Sequence, residues 1–409
     1  MMFSCKTQDK IENQNLAFIY EADKQKINPQ FTAFHKNDSI SFLIMSIAAE
    51  DLLYQRKKGE ENFNAKIKVS YKTYLDTDRK TLIDSSSFYT TDEVAEVVEK
   101  EILAQHEIIA PKGGKYFLDI TTIDINANET WKSFITIDKS SINSKNNFLI
   151  KNIETGNPDV RKFFKVNDDI SVSSNIRSAN SFFVKFYARE IPLPLPPFVV
   201  GNMYFMDYEP DMVFVINKNV EFNDAYLKFD QPGIYHIQID TARNKDGLTL
   251  YCRNDNFPYL KTVNELIEPL RFITGKKEFN DIKMAENQKK ALDAFWLKNA
   301  GSPERAKRVI KAFYNRVQHS NNYFTSYTEG WKTDKGMVYL IYGTPTSVYM
   351  DKNEEYWVYG EENSVNALTF IFTRKAHPFS DNVFILDRSI SYKGSWYRAV
   401  EAWRHGRIF

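Results

Sequence analysis

Between residues 31 and 155, apolar and polar positions alternate with period two in short runs, and each run ends in turn-forming residues. Residues 39–44, 65–71, 115–120 (continuing toward Ile123 and Ile125) and 131–137 fit strands with one buried face. Pro111-Lys112-Gly113-Gly114 and Asn126-Ala127-Asn128 fit the turns between them. Residues 93–103 stay ambiguous, because Val94, Val97, Val98 and Ile102 lie at helical spacing but are β-branched. A second set of alternating runs covers residues 170–173, 181–187, 212–216, 233–239 and 248–252. Between the second and third of these, Pro192, Pro194, Pro196 and Pro197 exclude a central strand and predict a stiff, extended connection. After Pro258 the period lengthens to that of helices, over residues 264–273, 281–299 and 302–317. Ser302, Pro303 and Glu304 give the last of these its start signal. From Met337 the strand pattern returns and runs to the carboxyl terminus.

This pattern predicts a β-rich, multi-domain chain: two antiparallel β-sandwich-like units followed by a C-terminal α+β domain of helices and a small antiparallel sheet. The expected divisions are a polar tether over residues 1–30, sandwich-like domains over 31–155 and 165–257, and the α+β domain over 258–409. Composition agrees, with 43% hydrophobic residues and 15% aromatics, enough to build substantial cores. The 54 basic and 53 acidic residues leave a net charge of +1, so no global field draws the chain to nucleic acid. No run approaches the ~20 apolar residues of a membrane span.

Chemistry is harder to find. The six histidines lie too far apart for a local metal motif, and no phosphate loop or Gly-x-Ser-x-Gly elbow occurs. The sequence therefore offers no catalytic, cofactor-binding or metal-ligating residues. Neighbouring carboxylates such as Glu354-Glu355, Glu361-Glu362 and Asp168-Asp169 would point to opposite faces of a strand, so they read as exposed charge. Cys252 falls in a strand pattern and reads as a structural thiol. Cys5, by contrast, follows Met1-Met2-Phe3-Ser4 and precedes a polar stretch, as at the end of a bacterial lipoprotein signal, which makes it a candidate lipidation site.

The densest local signal is Gly330-Trp331-Lys332-Thr333-Asp334-Lys335-Gly336. Asp334 to Gly336 reads as a turn, residues 337–342 as a strand, and residues 355–359 as its antiparallel neighbour. Trp331 and Trp357 would then pack with Trp296 in one aromatic core, leaving Asp334 as a hydrogen-bond acceptor. The other reading is a site floored by Trp331, with Asp334 as acid or ligand.

Gly330, Trp331, Thr333, Asp334 and Gly336, followed by Pro345 and Trp357 and then by Trp396 and Trp403, resemble the GWxTD domain of Bacteroidetes-type envelope proteins, most strongly over residues 280–409. The resemblance implies a cell-envelope address, no established catalytic residues and no cofactor. With Cys5 it implies an outer-membrane lipoprotein, on the periplasmic rather than the surface side because Lys6 follows the cysteine. It also gives Asp38-Ser39-Ile40 and Asp240-Thr241-Ala242 the form of sites that such bacteria O-glycosylate. The expected function is non-enzymatic: binding or scaffolding other envelope proteins in outer-membrane assembly or secretion. The alternatives are a periplasmic hydrolase or glycan-binding protein with a site near the motif, and a cytoplasmic protein whose N-terminal cysteine is accidental.

Overall fold

A computed structural model describes the chain except for residues 1–14, 22–26, 57, 60, 76–78, 189, 202–208, 220, 223, 243–244, 352, 362–363, 365–366 and 408–409. The fold class is the expected one: several antiparallel sheets, then a helical region, then a small antiparallel sheet.

Alternation builds the first sandwich. Its strands are β1 (Gln30–His35), β2 (Ile40–Ala48), β3 (Phe63–Leu75), β4 (Thr81–Val94), β5 (Glu101–Ile109), β6 (Lys115–Asp124) and β7 (Glu129–Asp138). They form two sheets, in the orders β1-β2-β5 and β4-β3-β6-β7. Ala65, Ile67, Val69 and Tyr71 of β3 all face inward and meet Leu43, Met45 and Ile47 of the other sheet. The ambiguous residues 93–103 are the end of β4, a connection and the start of β5, so β-branching outweighed the helical spacing there.

His35 is buried under this core, its Nδ1 2.9 Å from Ser41 Oγ and its Nε2 3.0 Å from the Asp138 carbonyl. Burial, reinforced by Lys139, lowers its pKa to about 4 against the pull of Asp138 and its carbonyl. The unfolded chain takes up this proton at about pH 6.5, the folded chain only near 4. The ring therefore contributes stability that is complete above pH 6.5 and lost as pH falls toward 4, roughly 3 kcal/mol in all. Denaturant titrations of the wild type and of His35→Gln at several pH values in that window should show the wild type losing more stability on acidification. Parallel curves would contradict it.

The second sandwich comprises β8 (Phe148–Lys151), β9 (Phe163–Phe164), β10 (Asp169–Ser174), β11 (Ser181–Tyr187), β12 (Met212–Asn217), β13 (Asp224–Lys228), β14 (Gly233–Gln238) and β15 (Leu248–Cys252). Its sheets run β13-β10-β8 and β12-β11-β14-β15-β9 around a second core that includes Phe164, Phe182, Phe229 and the buried Cys252. Phe148 and Ile150 of β8 belong to this core, so the two sandwiches divide before residue 148 rather than between 155 and 165. Both sandwiches lie in one compact unit, Glu21–Arg189 with Tyr208–Arg253.

The other unit gathers the described residues within 1–20, 190–207 and 254–409. Its helices are α1 (Val263–Ile267), α2 (Lys276–Lys283), α3 (Gln288–Ala300), α4 (Pro303–Phe324), α5 (Asp334–Tyr342) and α6 (Tyr392–Arg404). The strands β16 (Ser347–Met350), β17 (Glu354–Tyr359), β18 (Leu368–Arg374) and β19 (Phe384–Leu386) form a meander in that order. Ser302 caps α4 by accepting the Arg305 N–H, as its sequence indicates. None of the described helices is long and apolar enough to cross a membrane.

Several expectations fail here for physical reasons. The run 337–342 is a helix, not a strand, because Thr333 caps it and every residue from Asp334 to Ile341 is buried, which erases the periodicity that separates the two. The antiparallel neighbours of β17 are therefore β16 and β18. The chain also returns to helix at its end, with Trp396 and Trp403 of α6 on the core. Part of the stretch expected as a tether packs on this domain: Leu16, Ala17 and Tyr20 enter its core, and the Leu16 N–H bonds the Val348 carbonyl at 2.9 Å. The proline-rich connection packs here too, with Leu193 and Phe198 against the same core.

Candidate functional site

The motif begins where three backbone segments touch. A Cβ on Gly330 would lie 1.7 Å from the Ser320 carbonyl oxygen of α4, and one on Gly336 would lie 1.8 Å from the Gly330 carbonyl oxygen. Only hydrogen fits at either position. Between them Thr333 joins the turns: its hydroxyl donates to the Gly330 carbonyl at 2.7 Å and accepts the Gly336 N–H at 3.0 Å. Trp331 is buried edge-on against Phe272, and its backbone N–H reaches the Asn321 side chain. Trp331, Trp357 and Trp296 share one core, as the sequence suggested.

Asp334 is the first residue of α5, and its side chain has 0% exposure. It accepts the Leu386 N–H at 2.8 Å and a bidentate pair from Arg388, whose guanidinium also donates to the Leu195 carbonyl at 3.0 Å. Burial holds the Asp334 carboxyl above its ordinary value, although Arg388 pulls it down. Beside it lies a second enclosed pair, Lys335 and Glu355. Glu355 also accepts from the Tyr20 hydroxyl at 2.6 Å and the Trp357 indole N–H at 2.7 Å, while the Lys335 ammonium sits 3.3 Å above the Phe384 ring centroid. Burial lowers the Lys335 pKa to about 8 despite Glu355.

The structure thus brings Gly330, Trp331, Thr333, Asp334, Gly336 and Trp357 into one buried cluster. Sequence reasoning missed Arg388, Lys335, Tyr20 and Glu355. Glu355 was legible in principle, since it stands two residues before Trp357 in a strand and so shares its inward face. Reading Glu354-Glu355 as exposed charge was wrong for Glu355, which is 1% exposed. Arg388, 54 positions from Asp334, carries no local signal. As an acid or ligand Asp334 would have to meet a substrate, but both of its oxygens face protein donors. Cys5 lies outside the described residues. Among the described residues no three His, Cys, Asp or Glu side chains gather as metal ligands would.

Residues 233–405 match the GWxTD domain family. No curated protein matches the chain. Among solved structures, similarity reaches a glycosyl hydrolase family 2 member from Bacteroides cellulosilyticus at 10% identity and a TM-score of 0.19, over 35% of this chain and 18% of that one. It also reaches red sea bream transglutaminase at 7% identity and a TM-score of 0.18, over 51% of this chain and 28% of that one. The chain thus spans under a third of either protein, and at these scores the likeness carries no functional argument.

Proposed function

Because the chain carries a GWxTD domain over residues 233–405, we propose that it is a non-enzymatic cell-envelope protein, anchored to the outer membrane through lipid on Cys5, that binds or scaffolds other envelope proteins in outer-membrane assembly or secretion. The observation that supports binding is the open side of the second sandwich. Among the described residues β12 ends its sheet, and it reads Met-Val-Phe-Val-Ile-Asn, with no lysine or proline to protect the edge. Met212, Val213 and Val215 are each about half exposed, and Phe222 and Tyr226 are also exposed, in the turn to β13 and in β13 itself. An edge of this kind takes an extended partner segment as a further strand, with backbone bonds for affinity and side-chain contacts for selection. The partner is thus an envelope protein that supplies a β-strand.

A hydrolase or glycan-binding site at the motif has less support, since its one candidate acid is enclosed by Arg388 and the Leu386 N–H. The test is affinity capture from envelope membranes in mild detergent. The full chain should fractionate with the outer membrane and retain a stoichiometric partner, and Cys5→Ser should release it to the soluble fraction. Val213→Lys with Val215→Lys should weaken the partner roughly tenfold or more, about 1.4 kcal/mol, without changing Tm. Recovery of no partner, or of one indifferent to the edge substitutions, would contradict the reading.

A further inference from the structure

A cavity of about 370 Å³ opens between α4, the C-terminal end of α5 and α6, away from the enclosed motif cluster. Its walls carry Ile341, Ala399, Ala402 and Trp403, and its polar lining is Tyr342, Ser395 and three arginines, Arg316, Arg398 and Arg407. The lining contains no carboxylate.

The arginines are held by different means. Arg316 is built into the wall: its guanidinium donates to the Leu340 and Ile341 carbonyls at 3.3 and 3.1 Å and lies 4.9 Å over the Trp403 ring. Gly343 leaves room for it, since a Cβ there would come within 2.7 Å of Arg316 Nη2. Trp403 is fixed in turn by its indole N–H, 3.0 Å from the Ile341 carbonyl. The Tyr342 hydroxyl donates to Ser395 Oγ at 3.2 Å, which orients the polar side of the cavity. Arg398 and Arg407 are exposed at the rim, and among the described residues neither has a carboxylate within salt-bridge distance. Glu278 is engaged elsewhere, with Arg404.

We propose that this cavity binds a small organic anion, its phosphate or carboxylate group held by Arg398 and Arg407 and its carbon body laid against Trp403, Ile341 and the two alanines. The volume suits a compact ligand of this kind, since binding cavities start at roughly 300 Å³. Guanidinium forks match the planar or tetrahedral oxygens of such anions. The apolar floor excludes a fully hydrated inorganic ion as the preferred occupant.

Calorimetric titration of the full chain tests this, with phenyl phosphate and phenylacetate as probes and inorganic phosphate and benzyl alcohol as controls. One of the two organic anions should bind saturably at millimolar concentration or below, and the preferred one identifies the head group as phosphate or carboxylate. Arg398→Gln and Arg407→Gln lie on the exposed rim and should leave Tm unchanged. Each should weaken that binding roughly tenfold, the equivalent of one lost charge-assisted hydrogen bond. Four results would overturn the proposal: no saturable binding of either organic anion, equal binding of benzyl alcohol, inorganic phosphate binding as tightly as phenyl phosphate, or affinity unchanged in both variants.

Discussion

Gly336→Ala is expected to destabilise the C-terminal domain severely. The added Cβ would stand 1.8 Å from the Gly330 carbonyl oxygen and 2.9 Å from the Trp331 Cα, both backbone atoms that no rotamer change can move. Relief requires α5 to shift away from the Gly330–Lys332 turn, which breaks the Thr333 cap and displaces Trp331 and Asp334 together. Overpacking in a core costs about 1–3 kcal/mol when side chains can adjust, and more when they cannot. Against a total stability of about 5–15 kcal/mol, a loss of ~4 kcal/mol leaves the domain marginal. Gly330→Ala should act alike, its Cβ falling 1.7 Å from the Ser320 carbonyl oxygen. Gly394→Ala supplies the control: it sits in α6 with nothing nearer than 3.7 Å, and there alanine should gain about 0.5–1 kcal/mol. Denaturant titrations of the three variants decide the matter. Equal stability of Gly336→Ala and Gly394→Ala would refute the packing seen at the motif.

Asp334→Ala should cost about 3–5 kcal/mol, because it strands the Arg388 guanidinium without its carboxylate in a place closed to water. The Leu386 N–H loses its acceptor in the same step. Replacing both partners, Asp334→Leu with Arg388→Met, should restore much of that loss, since a buried ion pair contributes little beyond its own desolvation. Restoration should stop short of wild type: the buried Leu386 N–H, which Asp334 satisfied, remains without a partner, at about 1–3 kcal/mol, whereas the exposed Leu195 carbonyl turns to water. Denaturation of the two single variants and the double variant, set against the wild type, measures this. A double variant no better than Asp334→Ala would show that the pair acts through something other than mutual neutralisation.

The sandwiches could be read from the sequence because strands with one wet face alternate, as Ala65, Ile67, Val69 and Tyr71 do. The start of α4 was equally plain, since Ser302 and Pro303 act locally, whereas the helix expected over 281–299 is divided between α2 and α3. What stayed hidden depends on contacts distant in sequence or on burial from all sides. β4 carries serines and threonines and little apolar signal, yet it pairs with β3 along nearly its whole length. α5 is enclosed, so its run of apolar residues shows no face. The motif showed its glycines and its tryptophan, but not that Thr333 caps a helix. Arg388 was invisible as the partner of Asp334, because it lies 54 positions away, and so was Tyr20, which reaches Glu355 from near the other end of the sequence. The carboxylate therefore read as an acceptor whose donors, Arg388 and the Leu386 N–H, could not be named.

That the motif is a packing centre and not an open reactive site is tested most directly by native-state hydrogen exchange across residues 330–342. The Gly330 N–H bonds Thr325 Oγ1, the Thr333 N–H the Gly330 carbonyl, the Gly336 N–H Thr333 Oγ1 and the Met337 N–H the Thr333 carbonyl. These amides should open only with α4 and the core around it, at a free energy close to that of global unfolding. Exchange of the same amides through a low-energy local opening, while α4 stays protected, would mean that the motif uncovers Asp334 and Lys335 to solvent, and would contradict the account.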